Sequence, residues 1–269
     1  LTALIAFTTA AIFAYCIYKF GSVAIILLLL LAVSLLIRSS IRNKRLNDLE
    51  KSEDKLRKYE SNTIQGVIDE STSNISSFTK RSAKIMNQTL DALAKQDLVT
   101  LKKSKKGINK LNDEVEELRD NIFYFIKNLE ESSIGASNFY ISILSHLQDM
   151  TQSLDYITRA SHKHVNNNHR NLRFNQIKDL KEIEAQLSTL LNDIYSTFDA
   201  KEFSNIDEIL YKKEELLKNV QYKIEKQIER TRNEESSPKN TTLYFNLLNE
   251  KQDFIKACIN LLVTYKDAK

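Results

Sequence analysis

Apolar residues recur every three or four positions along most of the chain after residue 61. This spacing gathers them on one face of a helix, whereas a half-buried strand would alternate apolar and polar residues. No stretch shows the strand pattern. The spacing predicts six long helices, near residues 62–95, 97–131, 137–165, 174–199, 203–234 and 239–267. Each helix has one apolar stripe and can share a core with its neighbours.

Short polar breaks separate these stretches. Ser132, Ser133 and Gly135 interrupt the pattern after the second stretch, and a polar run over 166–171 follows the third. Ser237 followed by Pro238 is a helix-start signal, with serine as the cap and proline at the first helical position. Short connections make successive helices antiparallel. We therefore predict an all-α fold in which a transmembrane segment precedes a pair of three-helix bundles.

Composition supports helices and narrows the chemistry. The chain of 269 residues contains 4 Gly and 1 Pro, too few for the turns of a β-sandwich, a barrel or a doubly wound sheet. The same scarcity leaves no glycine-rich loop for a phosphate, and no GxSxG or HExxH motif occurs. We expect no enzymatic activity. We also expect no cofactor, apart from a divalent metal at the carboxylates considered below.

An apolar segment opens the sequence. Residues 1–18 carry no charge, and residues 23–37 contain Ser34 as their one polar side chain. A helix of about 18 residues spans roughly 27 Å, close to the thickness of the bilayer hydrocarbon. Lys19 would be costly near the middle of one long span, which favours two membrane helices with a turn near residues 19–22. One continuous helix and a signal peptide are the alternatives.

Basic residues come directly after the apolar segment. By the positive-inside rule, Arg38, Arg42, Lys44 and Arg45 place the rest of the chain on the cytoplasmic side of an inner membrane. An anionic-lipid site is the more specific alternative. Residues 46–269 hold 34 basic and 35 acidic residues, a net charge of −1, so we expect no nucleic-acid partner. The predicted division is a membrane segment over 1–37, a basic helical connector over 38–61 and a cytoplasmic domain over 62–269.

Two sets of polar residues are candidate sites. The carboxylates of the second and third helices could face one another and hold a hard cation, and the alternative is a solvated face. An anion could bind at the start of the sixth helix, where backbone N–H groups are free, and the alternative is an ordinary capped corner. The metal candidates are Glu117, Asp120, Asp149 and Asp155, and the anion candidates are Arg232, Ser236, Ser237 and Lys239.

The histidines and cysteines do not add a further candidate site. His162, His164 and His169 lie at the end of the third helix with spacings of two and five, which do not put two ligands on one face. They are interpreted as a polar helix end. Cys16 and Cys258 have neither metal-site spacing nor a disulfide framework.

Three stretches resemble the C-terminal region of bacterial PiT-type inorganic phosphate transporters: FYFIKNLEESS over 123–133, KHVNNNH over 163–169 and EESSPKNTTLYF over 234–245. The resemblance implies a PhoU-like helical domain that regulates a phosphate:cation symporter. The transport signature of that family, of the Gly-Ala-Asn-Asp type, is absent from this sequence. PhoU-like proteins also bind metal through Glu-x-x-x-Asp on the third helix. Here Asp155 takes the Asp place, but Thr151 stands in the Glu place.

We therefore expect the C-terminal portion of a phosphate symporter. Its expected partners are the lipid bilayer, an upstream transporter membrane domain and inorganic phosphate as the transported substrate, and the sequence leaves a homodimer open. The chain begins with Leu1 rather than methionine, which is consistent with a fragment. The alternative is a membrane-anchored signal transducer of the chemoreceptor kind, which would need a heptad coiled coil that the broken stripes do not show.

Overall fold

The computed structural model describes residues 15, 18–21, 64–120 and 134–268. The chain divides into two units, Leu1–Tyr59 and Glu60–Lys269. Six long helices form the described part of the second unit, and no strand occurs within it. In chain order they are α1 (Ile64–Lys95), α2 (Leu98–Asp120), α3 (Ile134–Asn166), α4 (Phe174–Ala200), α5 (Ile206–Arg232) and α6 (Pro238–Ala268).

The helices pack as two antiparallel three-helix bundles. Helices α1, α2 and α3 contact one another, and so do α4, α5 and α6. The bundles join through α3 against α6 and α1 against α4, which leaves α2 and α5 on the outside. The predicted order and helical class are confirmed, because a stripe sustained over many turns fixes both the period and the buried face.

One continuous core runs through both bundles. An aromatic cluster closes it at one end: the Tyr265 ring on α6 meets the rings of Phe139 on α3 and Phe198 on α4 at centroid distances of 5.0 and 4.9 Å. Phe203, in the loop after α4, stacks on the same tyrosine at 6.1 Å. Edge-to-face and stacked rings of this kind stabilise beyond the area that they bury.

The helix ends differ from the prediction in two places. Gly135 was expected in a turn but lies in the first turn of α3. Backbone N–H groups in a first turn make no intrahelical hydrogen bond, so a helix can begin at a residue that would weaken its interior. Phe203 was expected to begin the fifth helix, and it lies in the loop because α5 begins at Ile206. The expected continuation of the second helix over 121–131 lies outside the described residues.

At four helix C-termini in the described part of the chain, a residue other than glycine takes the left-handed conformation. Gln96, Asn168, Lys201 and Glu234 all take the left-handed conformation, with φ between 52° and 56°. The amide of the residue after Glu234 donates to the Arg230 carbonyl at 2.8 Å, which closes the last turn. Glycine usually fills such positions, and its scarcity in this chain forces larger residues into them.

The predicted membrane segment is not described by the structure. Of residues 1–37, only Tyr15 and Tyr18–Gly21 are described, and the orientation residues Arg38, Arg42, Lys44 and Arg45 lie outside the described range. None of the helices in the described ranges combines the length and the apolar character that a bilayer crossing requires.

Candidate functional site

A groove of about 520 Å³ opens where α3 meets α6. Its lining is polar: Asp149 on α3 and Glu250 and Asp253 on α6 contribute three carboxylates, and Lys256 contributes one ammonium. The Lys256 Nζ lies 3.2 Å from an Asp253 oxygen. The remaining charge is negative, so the groove favours a cationic group over an anion.

Glu250 lies partly buried in the wall of the groove. Burial raises the pKa of its carboxyl and the nearby Asp253 raises it further, while a hydrogen bond from Ser153 lowers it. Near the groove, the His146 Nε2 lies 3.2 Å from the Thr264 hydroxyl. Burial lowers the pKa of His146, and Asp149 partly opposes that shift. Protonation of Glu250 would therefore remove part of the negative charge of the groove.

The four predicted metal ligands do not come together. The Tyr140 hydroxyl of α3 donates to the Leu118 carbonyl of α2 at 3.3 Å, which fixes the register of the two helices. Glu117 and Asp120 are therefore level with Tyr140, while Asp149 lies about 13 Å and Asp155 about 22 Å farther along α3, at 1.5 Å per residue.

Asp155 is instead paired locally, since Arg159 Nε lies 2.7 Å from its carboxylate one turn on. Glu117, Asp120 and Asp149 are exposed. Over the described ranges, no three His, Cys, Asp or Glu side chains are placed to hold a metal ion.

The hydroxyls of the predicted anion site are engaged in internal hydrogen bonds. Ser237 caps α6, where its oxygen accepts from the Asn240 amide at 3.3 Å. Ser236 accepts from Thr241 Oγ1 at 2.9 Å and from Gln176 Nε2 at 3.1 Å. The charged members of the set, Arg232 and Lys239, are exposed on either side of the corner. This geometry describes a well-bonded corner between α5 and α6.

A buried charge network next to that corner was not predicted. Asp179 on α4 lies 2.6 Å from Arg230 Nη2 and 3.1 Å from Lys223 Nζ, both on α5. Lys223 also pairs with Glu182 at 2.8 Å, and the buried Tyr244 hydroxyl lies 3.4 Å from Asp179. Burial alone would raise the pKa of Asp179, but the hydrogen bonds from Arg230 and Lys223 outweigh it and hold the pKa below its usual value.

A second buried pair lies deeper in the same bundle. Lys251 on α6 donates to Glu184 on α4, and the two residues are only 1% and 5% exposed. Both occupy core positions of their helices, between Leu248 and Phe254 in the case of Lys251. One feature of the sequence could have indicated this pair. A lysine and a glutamate, 67 residues apart, each interrupt the apolar stripe of a predicted helix.

Near the network, Arg230 Nη1 and Asn240 Oδ1 are buried without a hydrogen-bond partner among the described residues. At the end of α3, the buried His164 places its Nε2 2.9 Å from the Arg170 carbonyl, and its ring lies 5.2 Å from that of His169. Burial lowers the pKa of His164. The histidines therefore help to close the helix end.

Comparison with known proteins gives one informative result. No protein-family model matches the chain, and no curated protein matches it either. Among solved structures, the chain is similar to the phosphate transport system regulatory protein PhoU from Streptococcus pneumoniae, with a TM-score of 0.61 and 15% identity. The match covers 77% of this chain and 96% of that protein. The described domain therefore has a PhoU-like fold.

Proposed function

We propose that this chain is the C-terminal portion of an inorganic phosphate:cation symporter and that its helical domain regulates phosphate uptake. The observation that carries the proposal is the PhoU-like fold, which extends over 77% of the chain. The solved structure that shares it is a regulatory protein of a phosphate transport system. Since a fold can host several functions, the sequence must supply the rest of the support.

Two sequence features support the proposal that this regulatory domain belongs to a membrane transporter. The apolar run over 1–18 is long enough to cross the bilayer hydrocarbon, a second apolar run follows over 23–37, and four basic residues come after it. The helical domain would then lie on the cytoplasmic face of the inner membrane. Because the sequence contains no catalytic motif, the proposed role of the domain is binding and movement against the transporter rather than chemistry.

The test is phosphate uptake by the full natural protein in cells that lack other phosphate transporters. We expect labelled phosphate to enter through the intact protein, and uptake to fall when the cells are moved from phosphate-poor to phosphate-rich medium. Deletion of residues 62–269 should leave uptake in place but remove this response. An epitope tag on the membrane part controls for expression.

Each outcome tests a different part of the proposal. An unchanged phosphate response after the deletion would refute the regulatory role. Absence of uptake by the intact, membrane-inserted protein would refute the transport context and favour the chemoreceptor-like alternative. The sequence encoded immediately before Leu1 gives an independent check, because further hydrophobic spans favour a transporter and an extracytoplasmic sensor domain favours a transducer.

A further inference from the structure

The outward face of α2 carries a charged stripe. The helix packs on α1 and α3 through Leu101, Ser104, Ile108, Leu111 and Val115. On the opposite side, six polar residues repeat with spacings of four and three. We call these residues the charged stripe: Lys102, Lys106, Asn109, Asp113, Glu116 and Asp120. All six are exposed, and this spacing aligns them along one line of an α-helix.

The charges of the stripe are separated by sign. The N-terminal half is basic and the C-terminal half is acidic, so one-turn neighbours such as Lys102 and Lys106, or Glu116 and Asp120, repel each other. Within the part of the chain that the structure describes, no member of the stripe is in an ion pair. The other outer helix, α5, differs, because Lys212 pairs with Glu208 one turn away at 2.7 Å.

A second copy of α2, laid antiparallel on the first, would meet this stripe with opposite charges. When residue numbers across the contact add to 222, Lys102 faces Asp120, Lys106 faces Glu116 and Asn109 faces Asp113. Every member of the charged stripe then has a partner. We propose that the charged stripe is a homodimer contact, formed by two α2 helices. The two-fold axis that relates them passes the outward face of α2 at the level of Leu111 along the helix.

The two-fold axis repeats each ion pair of the charged stripe. Lys102 with Asp120 and Lys106 with Glu116 therefore give four ion pairs in the dimer. Parallel pairing would place like charges side by side along the whole contact. Antiparallel pairing is therefore the arrangement that the sequence of charges selects.

An anionic bilayer is a poorer occupant of the same face. The acidic half of the stripe would be repelled by anionic lipid, whereas both halves are complementary to a second copy.

Sedimentation of the full chain in a nonionic detergent tests the contact. At about 10 mM ionic strength, where charges interact over some 30 Å, we expect a dimer, and at about 1 M the dissociation constant should rise at least tenfold. Changing Lys102 and Lys106 to Glu should give a monomer. Changing the three acids of the charged stripe, Asp113, Glu116 and Asp120, to Lys should do the same.

The two reversed chains should associate with each other when mixed, and a chain carrying both sets of changes should again form a dimer. The matched control changes two exposed lysines elsewhere, Lys84 and Lys178, to Glu and should leave the dimer intact. A monomeric wild-type chain at low salt would overturn the proposal. A dimer that survives either charge reversal would also overturn it. So would a monomeric chain that binds anionic vesicles through the lysines of the charged stripe.

Cysteine crosslinking tests the register. In a chain with Cys16→Ser, and with Cys258 buried, a short bismaleimide should link Lys102→Cys chains to Asp120→Cys chains in a mixture. Lys102→Cys chains alone should not crosslink, because their cysteines would be about 27 Å apart along the helix. The reverse result, crosslinking of Lys102→Cys to itself and not to Asp120→Cys, would overturn the antiparallel contact.

Discussion

Removal of one partner of the Lys251–Glu184 pair should destabilise the second bundle far more than removal of both. The side chains are only 2% and 7% exposed, so water cannot replace a lost partner. Lys251→Met would leave the Glu184 carboxylate in the core without a cation. Breaking a buried ion pair in this way costs about 3–5 kcal/mol. Glu184→Leu, which leaves the ammonium without an anion, should cost a similar amount.

The double variant should recover most of this loss. With both charges replaced by apolar side chains of similar volume, no buried charge is left uncompensated, and such replacements are commonly within about 1 kcal/mol of neutral or stabilising. The effects of the single variants should therefore not add. The coupling free energy should be at least as large as the loss in either single variant.

The measurement is urea unfolding of the full chain in a nonionic detergent, followed by far-ultraviolet circular dichroism. The denaturant slope should stay constant across the variants, so that midpoint shifts report stability. The exposed pair of Arg81 and Glu114, 2.6 Å apart at 43% and 44% exposure, is the matched control and should contribute only about 0.2–1 kcal/mol. Additive losses in the double variant, or single losses below about 1 kcal/mol, would refute the reasoning.

Two further predictions concern single positions. Glu234 has a φ of 56°, so Glu234→Gly should relieve about 1 kcal/mol of backbone strain and raise the urea midpoint, whereas Asn233→Gly, at a φ of −85°, should not. Burial raises the pKa of the Cys258 thiol, so a thiol reagent should modify Cys258 only when urea unfolds the chain, at a rate that follows the unfolding transition.

Helix period was the most informative property of this sequence. Stripes of 23 to 33 residues repeat the same signal over many turns, so the class, order and approximate ends of the helices could be predicted. Single residues at the ends carry less information. Gly135 has a turn-like identity, but its helical position in the first turn of α3 costs little. Phe203 has a core-like identity, and it reaches the core from a loop.

The candidate sites depend on register, which spacing within one helix does not reveal. Glu117 and Asp120 are three residues apart on α2, but their level relative to α3 depends on how the two helices pack. The contact of Tyr140 with Leu118 places Asp149 and Asp155 out of reach. The acidic groove shows the same limit, since Asp149 meets Glu250 and Asp253 only because α3 packs on α6.

A charged residue on the apolar stripe of a helix says more about how helices pair than a charged residue on the solvated face. Asp179 and Glu184 on α4 occupy the same stripe as Leu180 and Leu187, and Lys223 and Lys251 do so on α5 and α6. Each buried anion meets a buried cation from another helix of the bundle, which an apolar pattern alone does not indicate. Because mispaired helices would leave such charges uncompensated at a cost of several kcal/mol, these pairs favour one arrangement of α4, α5 and α6 over alternatives with equally good apolar packing.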